Sequence, residues 1–152
     1  MARGMFAEAI PYLEKVSMAF LNTQNIVPYV RHRSYDTERW LTKQKAEDEF
    51  EGYMPLLTTN RKVEFCRRIL AAQHLYRNMR PSEQRLEKAY ELASLYYQAS
   101  YLGDCWWLTQ YGLSSAQDST KTGNMDFVGH AINLLEESAR SSDFSFCLLY
   151  TS

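Results

Sequence analysis

The sequence predicts an all-α fold in which antiparallel helical hairpins stack as a short array or superhelix. Apolar residues recur at steps of three and four in several segments, which is the signature of one helical face at 3.6 residues per turn. Side chains suited to capping stand just ahead of these segments. Between the two longest, Arg80 and Pro81 leave room only for an antiparallel return.

The first helix rests on Phe6, Ala9, Ile10, Leu13, Val16 and Phe20 and is expected to end near Asn22. Pro11 interrupts it. Inside a helix, proline removes a backbone hydrogen bond at a cost of roughly 3 kcal/mol, so the helix either begins near Pro11 or bends there. Residues 23–35 read as a long connection in which Ile26, Val27, Pro28 and Val30 are followed by Arg31, His32 and Arg33. Asp36 or Thr37 is placed to cap a mostly solvated helix carrying Trp40, Leu41 and Phe50, which stops before Pro55. The polar residues Thr58, Thr59 and Asn60 then precede a helix whose Val63, Cys66, Ile69, Leu70, Ala72, Tyr76 and Met79 occupy adjacent rows.

The stretch from Pro81 to Gly112 organises the chain, because it holds the longest helical pattern and the densest group of aromatics. Ser82 offers an oxygen to the orphan amides of a helix start, and Glu83 places acidic charge in the positive first turn. Leu86, Ala89, Tyr90, Ala93, Tyr96, Tyr97, Ser100 and Tyr101 trace one broad face, with small residues that admit a close neighbour. Gly103 is the expected stop, free to take the left-handed conformation. Asp104 is expected to cap a short helix of Cys105, Trp106, Trp107, Leu108 and Tyr111. A polar loop follows, after which Thr122 or Asn124 caps a last helix with Val128, Ala131, Ile132 and Leu135 on one face.

Composition narrows the classes. A chain of 152 residues suits one domain, which at this size buries roughly 68–70% of its unfolded surface and has no need of a metal or disulfide to stabilise it. The net charge of -1 lacks the basic excess of a dedicated nucleic-acid protein. Cys66, Cys105 and Cys147 have neither an even count nor metal-ligand spacing, so they read as small apolar residues. No stretch reaches the roughly 18 to 20 apolar residues of a membrane span. Glu8, Pro11 and Glu14 break up the first segment too often for the apolar region of a signal peptide. The sequence therefore reads as a soluble chain of unassigned compartment, with no cofactor, nucleic acid or membrane as partner.

The motifs of catalysis are missing. His32, His74 and His130 lie far apart with no paired ligand spacing. Glu47, Asp48, Glu49 and Glu51 splay around a helix instead of converging on one substrate. There is no Gly-x-Ser-x-Gly elbow, and the two glycines at 123 and 129 lack the lysine of a phosphate loop. Arg61, Lys62, Arg67, Arg68, Arg77 and Arg80 form the best basic set, interrupted by Glu64, and read as a solvated helix face.

The aromatics say more. Neighbours on a helix point about 100° apart, so Tyr96-Tyr97 and Trp106-Trp107 cannot both face one core. At least one of each pair meets a second helical layer or solvent. Tyr97, Tyr101, Trp106, Trp107 and Tyr111 are therefore the candidate partner-binding residues. A concave face exposing at least one of Tyr97, Trp106 and Trp107 is expected, with plain packing between layers as the competing reading.

Two segments share a frame. Ala9-Ile10-Pro11-Tyr12-Leu13-Glu14 and Ala131-Ile132-Asn133-Leu134-Leu135-Glu136 both read A-I-x-x-L-E, each behind a phenylalanine and, further back, a glycine. Residues 4–16, GMFAEAIPYLEKV, resemble the second helix of a tetratricopeptide repeat, and Leu92-Ala93-x-x-Tyr96 resembles the start of a first helix. No period of roughly 34 residues runs through the chain, so the likeness is to a degenerate repeat. It implies an interaction scaffold without catalytic residues.

The expected organisation is one helical-repeat-like domain over 1–143 and a tail over 144–152 that is not native to the fold. The tail turns abruptly apolar, and CLLYTS resembles the ends of reading frames truncated in environmental sequence assemblies, which implies a fragment of a longer protein. The expected function is a non-catalytic interaction module that binds a protein or peptide, or self-associates through helical faces or the apolar tail. The alternatives are an accessory helical domain of a larger enzyme and, more weakly, a nucleic-acid binder using the helix from Arg61 to Arg80.

Overall fold

The computed structural model describes residues 1–24, 27, 30, 33–36, 56–109 and 123–140. The expected helix after Asp36, His32, the carboxylates between 47 and 51, Tyr111, the polar loop and the tail over 144–152 lie outside them. Five α-helices are described: α1 Phe6–Leu13, α2 Met18–Leu21, α3 Arg61–Asn78, α4 Glu83–Ala99 and α5 Phe127–Ser138, with a 3-10 turn at Trp106–Leu108. Val27 and Val30 also have helical backbone. No strand occurs among the described residues, and none of their helices is long and apolar enough to cross a membrane.

The first helix is two pieces instead of the single one expected. Pro11 lies inside α1 and has no amide to donate, and the helix ends two residues later. Ser17 then opens α2, its Oγ accepting from the Phe20 amide at 3.2 Å. Asn22 follows and clamps the chain: its Oδ1 accepts from Leu57 N at 2.7 Å, and its Nδ2 donates to Leu57 O at 3.0 Å.

Asn60 does a similar job for α3. Its Oδ1 accepts from the amides of Lys62 and Val63, while its Nδ2 donates to Leu13 O at 3.0 Å, which joins the start of α3 to the end of α1. Ser82 caps α4 as its position predicts, accepting from Arg85 N at 3.2 Å. Helix α4 runs antiparallel to both neighbours, bonding Gln73 of α3 through Tyr96, and Ser138 of α5 through the Leu86 carbonyl. Its C-terminal half is buried on nearly every side, including Leu92, Ala93, Ser94, Leu95, Tyr96, Gln98 and Ala99. A helix buried all round must have neighbours on several faces, which makes α4 the central element.

Aromatic rings join the helices. Phe65 of α3 meets Phe6 of α1 at 5.9 Å and Tyr35 at 5.2 Å, while Phe127 of α5 meets Phe6 at 6.2 Å and Tyr96 of α4 at 6.0 Å. All four pairs are edge to face, the arrangement that brings positive ring edges onto negative ring faces. Asp126, and not Asn124, caps α5 by accepting from Gly129 N at 2.9 Å. The buried face of α5 is also displaced from the expected one: Phe127, Ala131, Leu134 and Ser138 point inward, and Ile132 is exposed.

Candidate interaction site

The site of interest is the exit from α4. A helix end leaves carbonyls without intrahelical donors, and burial of this end requires that each find another partner. The chain meets that requirement by folding back on itself. Ser100 N and Oγ both donate to Tyr97 O, Cys105 N donates to Gln98 O at 2.9 Å, and Thr109 Oγ1 donates to Ala99 O at 2.8 Å. The Gln98 side chain accepts from Asp104 N at 3.0 Å. The helix thus stops because residues 100–109 satisfy its last turn.

Gly103 has a different role from the one its position suggests. It does not adopt a left-handed conformation; a Cβ there would lie 2.3 Å from Tyr97 O and 2.4 Å from Gln98 O. Close approach to the helix end is what requires glycine. Asp104 likewise does not cap the 3-10 turn, which has no side-chain cap. Its carboxylate instead faces the buried guanidinium of Arg33 at 3.8 Å. That pair lies beside Cys105, whose thiol is pushed up to about 12 by burial first and by the Asp104 carboxylate second.

The five candidate residues separate here. Trp106 and Trp107 are 9% and 5% exposed, so both pack inward, and Trp107 Nε1 finds no acceptor among the described residues. Consecutive side chains on a 3-10 turn point about 120° apart, so the two buried indoles pack against different neighbours. Tyr97 is half-buried, and burial, followed by the Asp104 charge, holds its phenol above the usual range. Tyr101 is 38% exposed at the turn, beside a recess of about 30 Å³ against Met125 and Phe127. Such a recess holds about one water, so the surface is one for contact and not for enclosing a ligand. Tyr111 lies outside the described residues.

Leu102, passed over in the sequence, is 47% exposed next to Tyr101. The available signal was a large apolar residue between a helix end and a glycine, where neither a helical face nor a polar turn calls for one. Leu102 N donates to Ser100 Oγ at 3.2 Å, so the pair is held on a bonded turn.

The basic set on α3 is largely engaged within the chain. Arg61 lies by Glu64 and donates to Arg33 O, Arg67 pairs with Glu14, and Arg68 pairs with Asp36. Among the described residues no three His, Cys, Asp or Glu side chains are grouped to hold a metal. Comparison of this chain with protein-family models, with curated proteins and with solved structures finds no match.

Proposed function

We propose that this chain is a non-catalytic interaction module of helical-repeat type, and that Tyr101 and Leu102 insert into an apolar recess of a protein partner. The observation that carries the reading is the exposure of these two large side chains on a turn whose backbone is tied to Ser100, Tyr97 and Gln98. Exposed anchors that are already ordered lose little conformational freedom when they dock, which favours binding. Tyrosine adds a large amphipathic surface of the kind that dominates interface energetics. The repeat reading is supported by the antiparallel course of α3, α4 and α5 and by the shared lead-in of α1 and α5, where Gly4 and Gly123 both have positive φ.

The test places a photoreactive benzoylphenylalanine at position 101 of the full chain, with a control at Glu83, and identifies the protein captured at position 101 only. Binding of that protein, purified, is then measured. Tyr101→Glu and Leu102→Glu are expected to weaken it at least about tenfold, as for a central anchor. Unchanged affinity in both variants would remove this turn as the docking site.

A further inference from the structure

A second site lies between α1 and the start of α3, adjoining the recess beside Tyr101 through Ala2 and Thr109. It is a pocket of about 190 Å³ walled by Ala9, Tyr12 and Leu13 of α1, Lys62 of α3, and Leu108 and Thr109 beyond the 3-10 turn. Asn60 fixes its shape, since one side chain holds both the Leu13 carbonyl and the first amides of α3. Met1 and Ala2 complete the walls, so Lys62 and the Met1 amine are their cationic groups, and no carboxylate lines the pocket. The Lys62 amine has no ion pair or hydrogen bond among the described residues. The nearby Cys66 thiol is raised by burial and stays neutral, so it supplies no counter-charge at neutral pH. Burial likewise pushes the Lys62 ammonium, on a half-buried side chain, below its usual range.

Size and wall chemistry limit what fits. A dry cavity of about 150 Å³ takes one benzene ring. A pocket of 190 Å³ therefore has space for a ring and a small polar group beside it. Ala9, Leu13 and Leu108 offer apolar contact for the ring, and the ammonium calls for an anion.

We propose that this pocket binds a small organic monocarboxylate about the size of benzoate, with its carboxylate on Lys62 and its apolar body against Ala9, Leu13 and Leu108. The reading does not depend on the Tyr101 turn.

The experiment titrates the full chain with benzoate, benzyl alcohol and benzylamine by heteronuclear NMR. Benzoate is expected to saturate and to shift the Ala9, Leu13 and Leu108 methyls, with benzylamine binding least. Lys62→Met keeps the apolar stem and removes the charge; it should weaken benzoate at least about tenfold, the lower range for a charge-assisted bond, and leave benzyl alcohol unchanged. Ala9→Leu, which fills the pocket, should abolish both. In the unmodified chain, benzoate but not benzyl alcohol should slow reductive methylation of Lys62, a readout that needs no variant to fold. Equal benzoate affinity in wild type and Lys62→Met, absence of saturable binding up to about 10 mM, or methylation of Lys62 indifferent to benzoate would each overturn the proposal.

Discussion

The ring of Phe6 meets the ring of Phe127 edge to face, with 6.2 Å between centroids. Each stands at the first position of a helix with the A-I-x-x-L-E frame, behind a glycine of positive φ, Gly4 at 74° and Gly123 at 89°. The two lead-in segments also lie against each other: Met125 N donates to Ala2 O at 2.9 Å, and a side chain at Gly4 would collide with Met125. Phe6 is 1% exposed and touches Phe65 as well. Phe6→Ala should therefore cost about 3–5 kcal/mol, read by urea unfolding. A double-mutant cycle between Phe6→Leu and Phe127→Leu should give a coupling of about 0.5–1.5 kcal/mol. A coupling near zero would mean that the rings contribute burial alone.

Legibility in the sequence followed locality. Ser82 before Glu83 and the polar residues before Arg61 mark real helix starts, because capping is decided within three residues. The faces were less legible. Phe65, absent from the expected α3 stripe, is fully buried and bridges Phe6 and Tyr35, and only the positions of α1 and the Tyr35 segment decide that it points inward. The role of Gly103 and the pairing of Asp104 with Arg33 depend on a fold-back that no local pattern encodes. For the candidate site, which aromatics face outward was not legible: Trp106 and Trp107 are buried, Tyr97 is half-buried and Tyr101 exposed, an outcome that depends on how residues 100–109 fold back onto the end of α4.

Gly103 gives a strict test of the fold-back. The atoms that a Cβ would strike are the backbone oxygens of Tyr97 and Gln98 and the Gln98 Cα, none of which belongs to a movable side-chain end. Gly103→Ala should accordingly destabilise by more than about 2 kcal/mol, well above the change at an unconstrained surface glycine. Circular-dichroism melts should show a lower Tm, together with increased exchange of the Cys105 amide, whose bond to Gln98 O the shift would break.

Arg85 ties three helices together. Its guanidinium donates to Glu137 Oε1 of α5 at 3.1 Å and to the Tyr76 and Met79 carbonyls at the end of α3 at 3.1 and 2.9 Å, and it lies 4.2 Å from the Tyr76 ring centroid. Tyr76 Oη donates to the other oxygen of Glu137. Burial works against the Glu137 charge, but the bonds from Tyr76 and Arg85 outweigh it and hold the carboxyl below its usual range. A depressed carboxyl stabilises above its unfolded value of 4.5 and loses that contribution as pH falls through the folded value. Glu137 is 31% exposed, so Glu137→Gln should cost only about 1 kcal/mol at pH 7, and the difference from wild type should close in acid. Arg85→Met should cost more, about 2 kcal/mol, since it also strips two helix-end carbonyls of their donor. Urea titrations at pH 7 and pH 3.5 check both.

The cysteines tie stability to alkaline pH. Cys66 and Cys105 are fully buried and free, and burial raises both thiols, Cys105 to about 12 from a model-peptide value of 9.0. Tyr35 is likewise raised, by burial first and then by the Glu64 and Asp36 charges, to about 12 from 10.0. A group whose folded value lies above its unfolded one contributes fully below the unfolded value and loses that contribution as pH climbs toward the folded one. The loss should begin near pH 9 through Cys105 and steepen above pH 10 as Tyr35 joins, at about 1.4 kcal/mol per pH unit for each group. Urea midpoints at pH 7, 9 and 10.5 should be level between the first two and fall at the third. A Cys147→Ser chain should also resist a thiol-specific reagent at pH 8 until denaturant is added, when two thiols react. Prompt modification in the native state would place Cys66 or Cys105 at an accessible surface, and a flat midpoint up to pH 10.5 would mean that neither Cys105 nor Tyr35 must ionise for the chain to unfold in base.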